Sequence, residues 1–147
     1  MKILAADGIS PNGIALLTDY EVDVRDKIAH EELLEIIGDY DALMVRSASK
    51  VSADIIERAD KLKIIGRAGV GVDNIDVKAA TERGIIVINS PGGNTIAATE
   101  HTMAMMLSMA RNIPAADATV HAGVWDRKAF VGVELRGKTL GVIGMGR

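Results

Sequence analysis

The chain has 147 residues, 48% hydrophobic and 25% charged, with a formal net charge of −3 and no cysteine. That size and composition suit a globular protein with a real core. The acidic balance argues against a general nucleic-acid binder, and the lack of thiols excludes disulfides and thiolate metal sites.

From the N-terminus, Ile3-Leu4-Ala5-Ala6 reads as a first buried strand. Asp7 follows at once, too early for a secretory leader. Ile14 and Leu17 have helical spacing, and Val22-Asp23-Val24 is a weaker, alternating strand suited to a sheet edge. Residues 31–37 form a second helical pattern with Gly38 as its stop. Ala42-Leu43-Met44-Val45, Lys63-Ile64-Ile65-Gly66 and Ile85-Ile86-Val87-Ile88 are continuous apolar runs of the kind buried on both faces of a parallel sheet. Between them lie helices over residues 52–59, opened by Ser52 as a cap, and 76–83, closed by Gly84. Strands alternating with single helices imply right-handed βαβ units. Residues 1–95 are expected to form a flavodoxin-like α/β domain, a five-stranded parallel sheet with helices on both faces.

The rhythm changes at Ser90-Pro91-Gly92-Gly93-Asn94, a turn-rich break. A long Ala- and Met-rich helix is expected from Thr95 to about Arg111, then a second from Pro114 to His121. The apolar run at 103–107 is too short to span a bilayer, so a cytoplasmic protein without membrane contact is expected. Residues 125–130 form a basic loop. Residues 133–135 and Thr139-Leu140-Gly141-Val142-Ile143 read as strands of a β-turn-β entry into a second domain. Gly144-Met145-Gly146-Arg147 then opens a G-x-G-x-x-G turn, which lays a dinucleotide pyrophosphate against a helix N-terminus. Its third glycine and the helix that would follow are not in these 147 residues. The expectation is therefore an N-terminal piece of a nucleotide-dependent enzyme, with residues 96–147 as linker helices and the start of a Rossmann domain.

In open parallel sheets, ligands bind outside the carboxyl ends of the strands. Arg46-Ser47 stands there after the third strand, and Gly66-Arg67-Ala68-Gly69-Val70-Gly71 after the fourth. Glycines let backbone N–H groups approach an anion closely, and Arg46 and Arg67 can grip a carboxylate or phosphate bidentately. A small acidic ligand is the expectation. The three histidines lack metal-ligand spacing, so no metal is expected, and no nucleophile motif is present.

Four stretches together resemble the D-isomer-specific 2-hydroxyacid dehydrogenases. They are Val45-Arg46-Ser47-Ala48-Ser49-Lys50-Val51, residues 66–74 (Gly66 to Asn74), Pro91-Gly92-Gly93-Asn94-Thr95, and residues 134–141 (Glu134 to Gly141). The resemblance implies a substrate domain and an NAD domain with the active site in their cleft. It implies that Ala68, Gly69, Val70 and Gly71 line the substrate carboxylate, with Val70 also on the nicotinamide side. Arg46, Ser47 and Arg67 would face a second anionic group, with Asn94 nearby. Arg127 and Lys128 would reach a partner subunit's site, and Gly144, Gly146 and Arg147 would begin the NAD pyrophosphate site. The family's catalytic Arg, Glu and His have no counterpart in these residues, so no catalytic residue is assigned and the chain alone is expected to be inactive. The whole protein is expected to be a homo-oligomer, dimer or tetramer. Alternatives are a relative acting on hydroxypyruvate, glyoxylate or lactate, and a non-catalytic binding or assembly module that self-associates through its Met-rich helix. A receiver or flavin module fits less well, because Asp7 stands without an acidic cluster.

Overall fold

The structure, a computed structural model, describes every residue except Met145 and Arg147. The chain divides into two compact units, Met1–Gly93 and Asn94–Arg147.

The first unit is built on five strands: β1 (Lys2–Ala5), β2 (Glu21–Val24), β3 (Ala42–Val45), β4 (Ile64–Arg67) and β5 (Ile86–Asn89). All pairs are parallel, in the order β2-β1-β3-β4-β5. The weakly apolar β2 is an edge strand, as its alternating sequence suggests. Between the strands run α1 (Pro11–Ile14), α2 (His30–Ile36), α3 (Ala53–Arg58) and α4 (Val77–Glu82). The step from β1 to β2 runs opposite in direction to every later step. Right-handed crossovers therefore put α1 on one face and α2, α3 and α4 on the other.

The register lines up Leu4, Leu43, Ile65 and Val87 on the three-helix face. Leu33, Ile37, Ile55, Ile56 and Ala80 pack against that row to form the core. On the opposite face Ile3, Ala5 and Ala42 are buried, whereas Ile86 and Ile88 on β5 are more than half exposed. The edge strand is tied in by Tyr40, whose hydroxyl donates to Asp23 at 2.6 Å. Burial first, and the Asp23 carboxylate second, push the Tyr40 phenol up to about 12.

Three local expectations are corrected. The first helix stops at Ile14 rather than reaching Leu17. Gly38 does not end a helix as a C′ glycine. It sits inside a 3₁₀ turn, Ile37–Asp39, where a Cβ would lie 3.1 Å from the Arg58 carbonyl oxygen. Ser52 stands at the N-cap position of α3, but its hydroxyl goes to Asp54 rather than to the helix amides. Asp76 does cap α4, accepting from the Ala79 N–H at 2.9 Å, and Gly84 stops that helix with φ +70°.

The second unit holds α5 (Thr95–Ala110) and α6 (Ile113–His121), close to the expected bounds. Among the described residues, none of 133–135 or 139–143 forms a strand. The physical reason is pairing. A strand's N–H and C=O groups need a neighbouring strand, and the described part of this unit offers only two helices. Leu140 and Val142 are accordingly exposed, and Ile143 fully so. None of the described helices is long and apolar enough to cross a membrane.

Candidate functional site

The carboxyl end of the sheet is organised by one strained residue. Asp7, just after β1, has φ +64°, a left-handed conformation uncommon outside glycine. The turn points its buried carboxylate across to the exit of β3. There Oδ2 accepts the Arg46 and Ser49 backbone N–H groups, both at 2.9 Å, and Oδ1 accepts the Ser49 hydroxyl at 2.6 Å. Burial alone would raise this carboxyl. The Ser49 hydroxyl and the N–H groups of Ser49, Arg46 and Ala48 outweigh it and hold the group below its usual range. Asn74 grips the same loop from the β4 side, donating to the carbonyls of Arg46 at 2.8 Å and Ser49 at 2.6 Å. The crevice between β1 and β3, where strand order reverses and ligands commonly bind in such sheets, is thus closed by the protein's own hydrogen bonds.

The loop so held presents Arg46 and Ser47 exposed. The Arg46 side chain has no carboxylate partner among the described residues. Val45 pairs in register with Arg67, and the Ala68 N–H donates to the Val45 carbonyl at 2.8 Å. The β3 and β4 exit loops therefore leave the sheet side by side.

The β4 loop is oriented from β5. The Ser90 N–H donates to the Gly69 carbonyl at 2.9 Å, and the Asn89 amide donates to the Val70 carbonyl at 2.5 Å. In a trans peptide the C=O and the following N–H point in opposite directions. Turning these two carbonyls toward β5 turns the Val70 and Gly71 N–H groups away from it. Among the described residues neither N–H has an acceptor, and Val70 and Gly71 are both exposed. Two unpaired amides on successive residues form a ready anion seat.

Arg67 behaves differently from Arg46. Its side chain is 10% exposed and lies along its own loop. A Cβ on Gly69 would come 3.3 Å from Arg67 Nε, and one on Gly71 would come 2.8 Å from Asp73 Oδ1 and 3.3 Å from Arg67 Nη1. A side chain at either position would have to displace the ends of Arg67 or Asp73. Arg67 Nη1 donates to Asp73 Oδ1, and this hydrogen bond leads the causes that hold Asp73 below the usual carboxylate range. Arg67 Nε is buried without a partner. The spacing of charges in the sequence does not show this internal pairing.

The remaining candidates read from the sequence lie in the second unit. Asn94 stands at the head of α5, its side chain making no cap hydrogen bond. Arg127 and Lys128 are exposed in a turn pinned by Asp126, whose carboxylate accepts the Lys128 and Ala129 N–H groups at 3.0 and 3.2 Å. Gly144 has φ +89°, as a tight phosphate-binding turn would need. Gly146 is exposed, and Arg147 lies outside the described residues. With no strand before this turn, the described residues do not assemble a dinucleotide site.

The histidines are bound up in local contacts or stand alone on a helix. His30 opens α2 and sits 2.8 Å from Asp54, which also accepts the Ser52 hydroxyl. Ser52 first, then His30, bring the Asp54 carboxyl down to about 2. His121 lies beside Asp117 one turn earlier, and His101 is exposed on α5. Among the described residues no group of three or more His, Asp or Glu could hold a metal ion.

Asp7, Ser49, Asn74 and Asn89 are the organising residues that sequence reasoning did not assign. For Asp7 and Asn89 the available signal was a polar side chain at or just beyond a strand end; Ser49 and Asn74, deeper in the exit loops, offered none.

An open parallel sheet with unpaired backbone amides and an unpaired arginine at its carboxyl edge defines the first unit as a flavodoxin-like α/β domain. Comparison with known proteins takes this further. The family described as D-isomer specific 2-hydroxyacid dehydrogenase, catalytic domain, matches residues 3–139, and the chain belongs to that family. A D-3-phosphoglycerate dehydrogenase of Methanocaldococcus jannaschii is 57% identical over 148 residues, which is all of this chain and 28% of that protein. The chain thus spans little more than a quarter of the length of such relatives. The crystal structure of the TT0316 protein from Thermus thermophilus superposes with a TM-score of 0.91 at 33% identity, covering 99% of this chain and 49% of that one. An NAD+-bound 3-phosphoglycerate dehydrogenase from Entamoeba histolytica superposes at 0.67 with 34% identity, covering 76% of this chain and 39% of that one.

Proposed function

We propose that this chain supplies the substrate-binding part of an NAD-dependent D-2-hydroxyacid dehydrogenase whose substrate is D-3-phosphoglycerate, oxidised at its 2-hydroxyl to 3-phosphohydroxypyruvate. The observation that carries the reading is the pair of unpaired amides, Val70 and Gly71, beside the unpaired Arg46 at the exits of adjacent strands. The amides receive the substrate carboxylate. Arg46, with the Ser47 hydroxyl, receives the phosphate, and Arg67 adds to that end. A guanidinium fork suits a phosphate carrying close to two charges. The identity to phosphoglycerate dehydrogenases over the whole chain supports that substrate over lactate or glyoxylate.

Hydride and proton transfer are assigned to the rest of the protein. The first unit's histidine, His30, is engaged by Asp54, so no proton shuttle is assigned to it. NAD is the proposed cofactor and chemically supplies the hydride acceptor. No step is assigned to the residues around Gly144. Arg127 and Lys128 are assigned to a partner subunit's site in an oligomer.

The test is calorimetric titration of the purified chain. D-3-phosphoglycerate is expected to bind more tightly than D-lactate, and Arg46→Ala to weaken the phosphoglycerate about tenfold, the loss of one charge-assisted contact. With NAD+ present, the chain alone is expected to produce no NADH. Equal binding of the two acids, or indifference to Arg46→Ala, would remove the phosphate assignment.

A further inference from the structure

Arg67 is a nearly buried cation with one partner. Of its five donors, only Nη1 is engaged, by a single oxygen of Asp73, and Nε is buried and unpaired. Asp73 is itself 83% exposed and could swing into solvent at little cost. A guanidinium built into a structural brace is normally met in a fork by two oxygens or by several carbonyls. This one is met end-on by an exposed carboxylate, at the loop that carries the two free amides.

We infer that Asp73 is a specificity-determining residue, an internal stand-in on Arg67 for the second anionic group of the ligand, displaced when that group binds. This inference rests on the anion-binding reading above and adds the competition within it. The geometry supports displacement rather than bracing. The loop already has its brace from β5, through Asn89 and Ser90, so it does not need the ion pair to keep its amides turned outward. A ligand group that takes the Nη1 donor must first open the pair, so its affinity is reduced by the fraction of time that Asp73 holds Nη1. A ligand with one carboxylate, held on the amides alone, avoids that reduction. Asp73 therefore weakens binding more for acids that carry a second anionic group to Arg67 Nη1 than for a monocarboxylate held on the amides.

The experiment is calorimetric titration of the wild-type chain and Asp73→Asn with D-3-phosphoglycerate and with D-lactate at 0.15 M salt. Because position 73 is exposed, the variant is expected to keep the wild-type amide spectrum. An exposed ion pair is modest, so removing it should tighten phosphoglycerate roughly fivefold and change lactate by less than about twofold. In an Arg67→Gln background the gain should vanish. Wild-type binding of phosphoglycerate with Asp73→Asn unchanged or weaker would overturn the inference alone and make the pair a brace. A similar gain for both acids would overturn it as well, reducing Asp73 to a general repulsive charge. Absence of saturable binding of either acid to the wild type would overturn the anion-binding reading, and the inference with it.

Discussion

Asp7→Ala should unfold at a much lower urea concentration than the wild type, with a loss of about 3 kcal/mol or more. The change leaves the Arg46 and Ser49 N–H groups and the buried Ser49 hydroxyl without their acceptor. It also places a β-carbon residue without a polar side chain at φ +64°. Asp7→Asn should cost only about 1 kcal/mol, because asparagine tolerates that conformation and its oxygen can still take both N–H groups. Its amide nitrogen can donate to Ser49 Oγ.

The pH dependence follows from the direction of the Asp7 shift. Its folded carboxyl titrates below the usual value of 3.8, so the unfolded chain binds its proton at the higher pH. The stabilisation is present in full above about pH 4 and is lost as pH falls through the folded value. Asp7→Asn should therefore shallow the acid limb of the stability curve without altering the neutral plateau's slope. Asp23, Asp41, Asp54 and Asp73 also titrate low and share that limb. An unfolding free energy from urea for Asp7→Ala within about 1 kcal/mol of wild type would mean that the β1-to-β3 clasp is not what holds the Arg46 loop.

Ile65→Ala should cost about 3–4 kcal/mol, the transfer of a lost side chain plus the cavity it leaves. Ile65 lies on the inner strand β4, is fully buried, and stands in the row with Leu43 and Val87 beneath three helices. That row also fixes the separation of the β3 and β4 exits, so ligand binding should weaken along with stability. Ile86, only one strand away but 60% exposed on the other face, has no comparable core to lose. Chemical denaturation of Ile65→Ala showing a loss below about 1 kcal/mol would contradict the assigned core.

Much of the fold is legible because parallel strands announce themselves. Leu43 to Val45 and Ile64 to Ile65 are apolar without interruption, as strands covered on both faces must be. The edge position of β2 follows from its alternation, and Gly84 marks a helix end by the left-handed turn it makes. The Thr139-Leu140-Gly141-Val142-Ile143 run has the same local signature and yet forms no strand, since pairing depends on an edge that local sequence does not record. Gly38 misleads for a related reason: the tight neighbour there is the carbonyl of Arg58, far along the chain in the next helix.

The exposed strand-end residues of the proposed site were legible, and what holds them was not. Gly69-Val70-Gly71 and Arg46 stand out because glycine and arginine at strand ends are chemically conspicuous. The clasp from Asp7 reaches donors 39 and 42 residues away, and no spacing rule connects them. Arg67 and Asp73 are six residues apart, and only the path of the loop shows that they meet.

Whether the β3 and β4 exit loops form one anion site is decided most directly by a ¹H–¹⁵N NMR titration of the labelled chain with D-3-phosphoglycerate. The Val70, Gly71 and Ser47 amides should move together and saturate with a single dissociation constant. Shifts confined to one loop, two different constants, or no saturable shift at either loop would contradict a shared site.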